Sequence, residues 1–389
     1  NIRTWISGCS AMFECFGCGM GHIQSPCDGE STESESNIPS VTHLHDHEYD
    51  LQNPHDLIQF LIDTKIRLVS LRYLTELQKG GRLWPRRQEA EHNLVTMEEI
   101  ESLKHAKFYP HPPVPDDIHG SYAGGAFTRN AEDPVRIYTV SHCWEAQQHP
   151  DPFGFQCRRL LDWFRSSRSE YGGTFYPDTS WLFIDYICLP QYKRTEEEEV
   201  CFRRAMKAMH VLYAHAAIWH VIRLEDIAPT LHFQLSDFIE IYCESTNKVE
   251  LRPFAELLLN RVPYSQRGWC IAEVQWMSTK DSIFGYAPLT PTMFQERVKR
   301  GLEDREDGLV LKFTHRDDLD IVVRLQETVF LQHSQQRKRL EAYYLSLNEL
   351  QVLAETLPSF ANLEILRVVL KSADEDLFNG CIATLRAAI

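Results

Sequence analysis

The sequence predicts an α/β protein: a parallel sheet flanked by helices, with helical extensions at the N- and C-terminal ends. Three observations carry that prediction. Between about residues 131 and 290, short β-branched and aromatic runs alternate with amphipathic helical stretches, an order that implies crossover connections and parallel strands. The run 181–186 is apolar almost throughout, as a strand covered on both faces must be. The flanking segments, 51–130 and 291–389, carry apolar residues at helical spacing.

Residues 1–50 read as a flexible tail in which Cys9, Cys15, Cys18 and Cys27 precede a polar run from Asp28 to Ser36. Cys15 and Cys18 have zinc-knuckle spacing, but the second such pair is missing, so no metal site is assigned. His43, His45 and His47 alternate without completing one. No glycine-rich phosphate loop occurs. From His55 to Gln78, Leu57, Ile58, Leu61, Ile62, Ile66, Leu68, Leu71 and Leu74 predict one helix ended by Gly80-Gly81. A short helix follows over 96–105, and Tyr109 to Pro115, with four prolines, reads as a linker.

The runs 135–141, 181–186 and 217–222 are the expected parallel strands. Helices are expected over 156–167, with Leu160, Leu161 and Phe164 on one side, and across Phe202, Ala205, Met206, Met209, Leu212 and Tyr213. The acidic run Glu196 to Glu199 suits a solvated helix start. Near the end, the leucines from Leu345 to Leu366 match one unit of a leucine-rich repeat, or else an amphipathic helical cap.

With 55 acidic and 40 basic residues the chain carries a formal charge of -15, which argues against a protein built to grip nucleic acid. No apolar run approaches the roughly 18 residues that a membrane span needs. Eleven cysteines, an odd number, fit reduced thiols in a cytoplasmic protein better than a disulfide framework. Cys143, Cys188 and Cys270 are accordingly expected to be free.

Ligands of open parallel sheets sit beyond the carboxyl ends of the strands. Three strings occupy such ends: Ser141-His142-Cys143-Trp144-Glu145, Asp185-Tyr186 with Cys188-Leu189-Pro190-Gln191, and Tyr264 to Glu273. In the last, Ser265 can cap a helix on which Trp269 and Glu273 share a face at i and i+4. Each candidate keeps two readings. His142 either faces a ligand or is satisfied by backbone groups. Cys143 is a nucleophile or a buried thiol, and adjacent strand residues point to opposite faces. Asp185 is paired or opens to a cleft. Arg267 neutralises a phosphate or pairs with an acid such as Glu273. Trp269 touches a ligand or packs the core, and Glu273 is a functional carboxylate or a structural ion-pair partner.

Together these strings, with Trp181 ahead of Asp185, the helix ending at Tyr213-Ala214 and Arg267-Gly268-Trp269-Cys270-x-x-Glu273, resemble the HET (heterokaryon-incompatibility) domain. That family is in turn similar to TIR domains, flavodoxin-like sheets used in immunity and cell-death signalling. The resemblance covers about 135–280. His149-Pro150-Asp151-Pro152-x-Gly154 resembles a divergent branch common in unicellular algae. The resemblance implies a flavodoxin/TIR-like sheet and a signalling or defence-type protein. It implies protein partners or self-association, and a nicotinamide nucleotide as substrate rather than cofactor. Several TIR domains cleave NAD at the nicotinamide–ribose bond with the glutamate of a WxxxE string, which Trp269 and Glu273 match. By that analogy Glu273 is catalytic, and Ser141, His142, Asp185, Arg267 and Trp269 bind substrate. The competing implication is a non-catalytic interaction module on the same fold. Two departures stand out: about 40 residues, 224–263, are inserted after the third strand, and Glu145 replaces the glycine of the family's SHxWG string.

Overall fold

A computed structural model describes residues 3–8, 48–110, 125–128, 134–170, 177–229, 237–278, 280, 282–303, 310–313 and 318–370. The elements in chain order begin with β1 (Arg3–Gly8), α1 (Pro54–Asp63), β2 (Val69–Ser70), α2 (Leu71–Lys79), α3 (Arg87–Ala90) and α4 (Met97–Ser102). Next come β3 (Lys107–Tyr109), β4 (Ala126–Thr128), β5 (Pro134–His142), α5 (Phe155–Glu170), β6 (Ser180–Phe183) and α6 (Asp185–Cys188). They are followed by α7 (Glu196–Lys207), α8 (Val211–Ala214), β7 (Ile218–Leu224), β8 (Phe238–Cys243), β9 (Lys248–Pro253) and α9 (Gly268–Ser278). The chain continues through β10 (Ser282–Phe284), α10 (Pro291–Leu302), α11 (Asp318–Gln336), β11 (Arg339–Leu345), α12 (Leu347–Thr356) and β12 (Ile365–Leu370).

The three expected strands are neighbours and parallel. β5 lies in the middle, with β6 on one side and β7 on the other. The sheet as a whole is mixed, because β2 joins β6 antiparallel and the β3–β4 pair joins the start of β5 antiparallel. β5 is buried along nearly its whole length, and β6 is buried at every residue, so the apolar run does report a two-sided environment.

Several elements differ from the sequence expectation. The helix expected over 55–78 is two helices. α1 stops where the Thr64 hydroxyl turns back onto the Phe60 carbonyl, Lys65 takes φ 51, and Val69-Ser70 pair with Leu182 and Trp181. Ile66, Leu68 and Val69 are fully buried in the same core as both helices, so the apolar spacing continues through the break. The helix expected from 202 to 213 breaks likewise at 208–210, between α7 and α8. The strand expected over 181–186 ends at Phe183. Asp185 opens the helical turn α6, because a continuous apolar run does not mark where a buried strand becomes a buried turn. The acidic start of α7 does hold, with Thr195 and Glu198 closing a capping box.

The C-terminal extension, expected to be helical, carries a second sheet. β1, β12, β11 and β10 lie side by side in that order, all parallel. The leucine pattern belongs to the β11–α12–β12 crossover. There Leu340, Leu345, Leu350, Leu353, Leu357 and Leu366 meet in one core. Residues 3–8, placed in the tail by sequence, form the edge strand of this sheet. Residues 9–47 of the expected tail, with Cys9 to Cys27 and the three alternating histidines, and most of the proline linker lie outside the described residues. Among the described residues no helix is long and apolar enough to cross a membrane, and no cluster of three metal-ligating side chains occurs.

The insertion 224–263 contains the antiparallel hairpin β8–β9. Its inner face, Ile239 and Ile241, packs on Ala146 and Leu257. Its outer face leaves Phe238 62% and Leu251 63% exposed. Glu145 explains how this insertion is held. Its carboxylate accepts from the Gln156 side chain at 3.0 Å and the Ala228 backbone at 3.2 Å, and its carbonyl accepts from Asn260. Burial pushes this carboxyl up to about 6.

Candidate functional site

α9 positions the central carboxylate. Nine of its eleven residues are buried, because it is wedged against α8, α11 and β5, and a helix apolar all round is a buried one. It begins at Gly268, so Ser265 sits upstream in the turn Tyr264–Gln266 and does not cap it. A β-carbon on Gly268 would lie 2.2 Å from the Phe313 ring. The absence of a side chain there is what lets the helix start so close to the following segment.

From this helix Glu273 reaches the end of β5. Its Oε2 accepts from the Ser141 hydroxyl at 2.5 Å, and the Ser141 oxygen lies 2.5 Å from the Tyr264 hydroxyl. A serine hydroxyl has one proton. With Glu273 ionised, Tyr264 therefore donates to Ser141, which donates to Glu273. Burial pushes the Glu273 carboxyl up to about 8; the Ser141 hydrogen bond opposes this, the Asp185 charge adds to it, and Tyr213 and His142 oppose it. Burial also holds the Tyr213 and Tyr264 hydroxyls well above their usual range, with the negative Glu273 adding to the effect. The Glu273 side chain is only half-buried, so one edge of the group remains open.

A second polar group surrounds Asp185. His142 Nε2 is 3.0 Å from its Oδ1, Trp144 Nε1 donates to its Oδ2 at 2.8 Å, and the Tyr186 backbone N–H donates at 2.6 Å. Burial would push the His142 imidazole down, but the charge and hydrogen bond of Asp185 outweigh it and the imidazole is raised above 6.5. Asp185 is held below its ordinary value: burial works against ionisation, and His142, Trp144 and the Tyr186 N–H overcome it. The His142 side chain is 2% exposed and that of Asp185 is 36% exposed, so the carboxylate is the reachable partner. Nδ1 of His142 is buried and meets no hydrogen-bond partner among the described residues.

The structure thus brings Ser141 to Glu273 and His142 to Asp185. Ser141 and His142 are successive residues of β5, so their side chains leave on opposite faces. The two carboxylates still sense each other's charge across the strand end. Arg267 is not brought to either group. Its three nitrogens donate to the carbonyls of Val262 at 2.8 Å, Trp144 at 2.6 Å and Asn260 at 3.0 Å, and it clamps two loops instead. Trp269 donates to Asp318 at 3.0 Å and meets Trp276 edge-on, which ties α9 to the start of α11. Cys143 and Cys270 are buried free thiols, as is Cys188.

Tyr213, Tyr264 and Trp144 join these groups although their places in the sequence strings assign them no role. The available signal was that a buried tyrosine or tryptophan needs a partner for its polar tip. A cavity of about 400 Å³ lies between α5 and the end of β7, lined by Arg159, Asp162, Trp163, Arg223, Glu225 and Asp226 among others. It does not include Glu273 or Asp185. No protein-family model, no curated protein and no solved structure matches this chain.

Proposed function

We propose that the polar groups at the carboxyl end of β5 bind a nicotinamide nucleotide and that Glu273 promotes cleavage of its nicotinamide–ribose bond. The observation that carries this reading is a half-buried carboxylate on a rigid helix, oriented by the Ser141 hydroxyl at the carboxyl end of a parallel strand. Bond cleavage sends the electron pair to the nicotinamide nitrogen and leaves a cation-like ribose. A fixed carboxylate in a water-poor setting stabilises such a charge far better than water does. Water then adds to the ribose carbon and one proton is released. Asp185, ion-paired with His142 and partly exposed, lies near enough to Glu273 to raise its carboxyl and supplies hydrogen-bond acceptors for ribose hydroxyls.

The ionised form of Glu273 is the active one, and burial holds its carboxyl at about 8. Nicotinamide release therefore rises as pH passes through about 8. The test is incubation of the full chain with NAD, followed by chromatography for nicotinamide and ADP-ribose. Glu273→Gln is expected to lower release by about a hundredfold or more. Absence of release from the parent protein between pH 7 and 9, or full release by the variant, overturns the proposal.

The exposed apolar face of β8–β9 supports a second reading, an interaction module. In that case the parent releases no nicotinamide, and the protein self-associates in a concentration-dependent way that Phe238→Ser with Leu251→Ser abolishes.

A further inference from the structure

Cys143 and Cys270 belong to a single small apolar cluster completed by Tyr264 and Val274. Cys143 follows the last residue of β5, and Cys270 lies in the first turn of α9. The Cys270 sulfur is 3.5 Å from the His142 carbonyl oxygen. Peptide geometry puts that oxygen roughly 3 Å from the Cys143 Cα. The two thiols also meet each other in a side-chain hydrogen bond, so a small side-chain movement brings the sulfurs to bonding distance. Both residues are free thiols, and at 0% and 5% exposure they are shielded from proteins and large thiols, so the oxidant has to be small.

We infer that Cys143 and Cys270 form a reversible oxidation site that a peroxide converts to a disulfide, joining the end of β5 to α9. The Cys143 thiolate attacks one peroxide oxygen, giving a sulfenic acid and releasing water after protonation of the leaving oxygen. The Cys270 sulfur then attacks the sulfenic sulfur and the second water leaves. Two thiols and one hydrogen peroxide become one disulfide and two waters, with the peroxide reduced. The Cys143 thiol is suited to the first step. Its contact with Cys270 lowers it below its usual range against the effect of burial, with Arg267 and His142 helping. Cys270 is raised well above its range first by the same contact and then by burial; it resolves the sulfenic acid because it is the other thiol of the cluster and lies against Cys143. The new bond sits one helical turn before Glu273 and beside His142, so it couples oxidation to both polar groups; this consequence rests on the proposed function, the cross-link itself does not.

The test treats the reduced full chain with one equivalent of hydrogen peroxide, blocks remaining thiols, and maps a non-reducing digest by mass spectrometry. The expected result is a peptide containing Cys143 linked to one containing Cys270 in more than half of the protein, reversed by dithiothreitol. In Cys270→Ala no such cross-link is expected, and Cys143 is expected to react with peroxide more slowly than in the parent because it loses the contact that lowers its thiol. Recovery of both thiols alkylated, pairing of Cys143 with another cysteine, or sulfinic acid at Cys143 beside free Cys270 overturns the inference. Because the readout is a mass, it stands whether or not the protein releases nicotinamide.

Discussion

Glu273 carries a stability cost that depends on pH. Its carboxyl ionises near 8 when folded and near 4.5 otherwise, so the folded state holds the proton more tightly. The stabilisation that protonation provides is complete below 4.5 and is lost as pH rises to 8. Stability then falls by about 1.4 kcal/mol per pH unit in that window, other groups aside. Glu273→Gln lacks this slope, so its thermal midpoint is expected to match the parent's near pH 5 and exceed it at pH 9. A variant that is less stable at both pH values would mark Glu273 as a structural anchor. The neighbouring His142–Asp185 pair behaves differently: the raised imidazole contributes below 6.5 and loses its contribution as pH rises through its folded value, whereas the depressed Asp185 contributes above 3.8 and fails only as pH falls. Asp185 was legible in sequence because a carboxylate ending a buried strand must be paired or open, and Glu273 because it falls at i+4 from Trp269 on a helix. The roles of Arg267 and Trp269 were not, since which carbonyls a guanidinium meets depends on loops far apart in the chain.

At the scale of elements, close approach and exposure decide which substitutions matter. Gly301 in the last turn of α10 faces the Leu311 carbonyl, and a β-carbon there would lie 2.0 Å from its oxygen. Backbone cannot rotate aside as a side chain can. Gly301→Ala is therefore expected to cost about 1–3 kcal/mol, seen as a lower denaturant midpoint with unchanged slope. Leu251→Ser, on the exposed outer face of the hairpin, is expected to change stability by less than about 0.5 kcal/mol. Equal effects from the two would contradict the packing described. Element type followed from periodicity for β5, β7 and α5. It failed in the extended link from 66 to 70, where buried apolar residues continue the helical spacing without forming a helix.

On the scale of the whole molecule, two sheets share α9 and the segment after it. Lys280 lies at that junction, 8% exposed, with its ammonium nitrogen 3.1 Å from the Ile218 carbonyl at the start of β7. Burial, assisted by the positive Arg337, pulls Lys280 down to about 7 from 10.5. The unfolded chain binds that proton more tightly, so the cost of burial is largest below 7 and fades as pH rises to 10.5. Lys280→Met, similar in volume, is expected to stabilise the protein at pH 7 and to lose that advantage towards pH 10. Chemical denaturation at the two pH values checks it, and a destabilised variant at pH 7 would show instead that the ammonium is needed where it sits. The sequence by itself determined the α/β class, the three central strands and their parallel sense, because short apolar runs separated by amphipathic helices have few other ways to bury their surface. Only the tertiary structure decided that the C-terminal region closes a second parallel sheet with residues 3–8 at its edge. It alone paired Ser141 with Glu273 and His142 with Asp185 on opposite faces of one strand. Strand partners and hydrogen-bond partners are set by long-range packing, which leaves no periodic trace in a single chain.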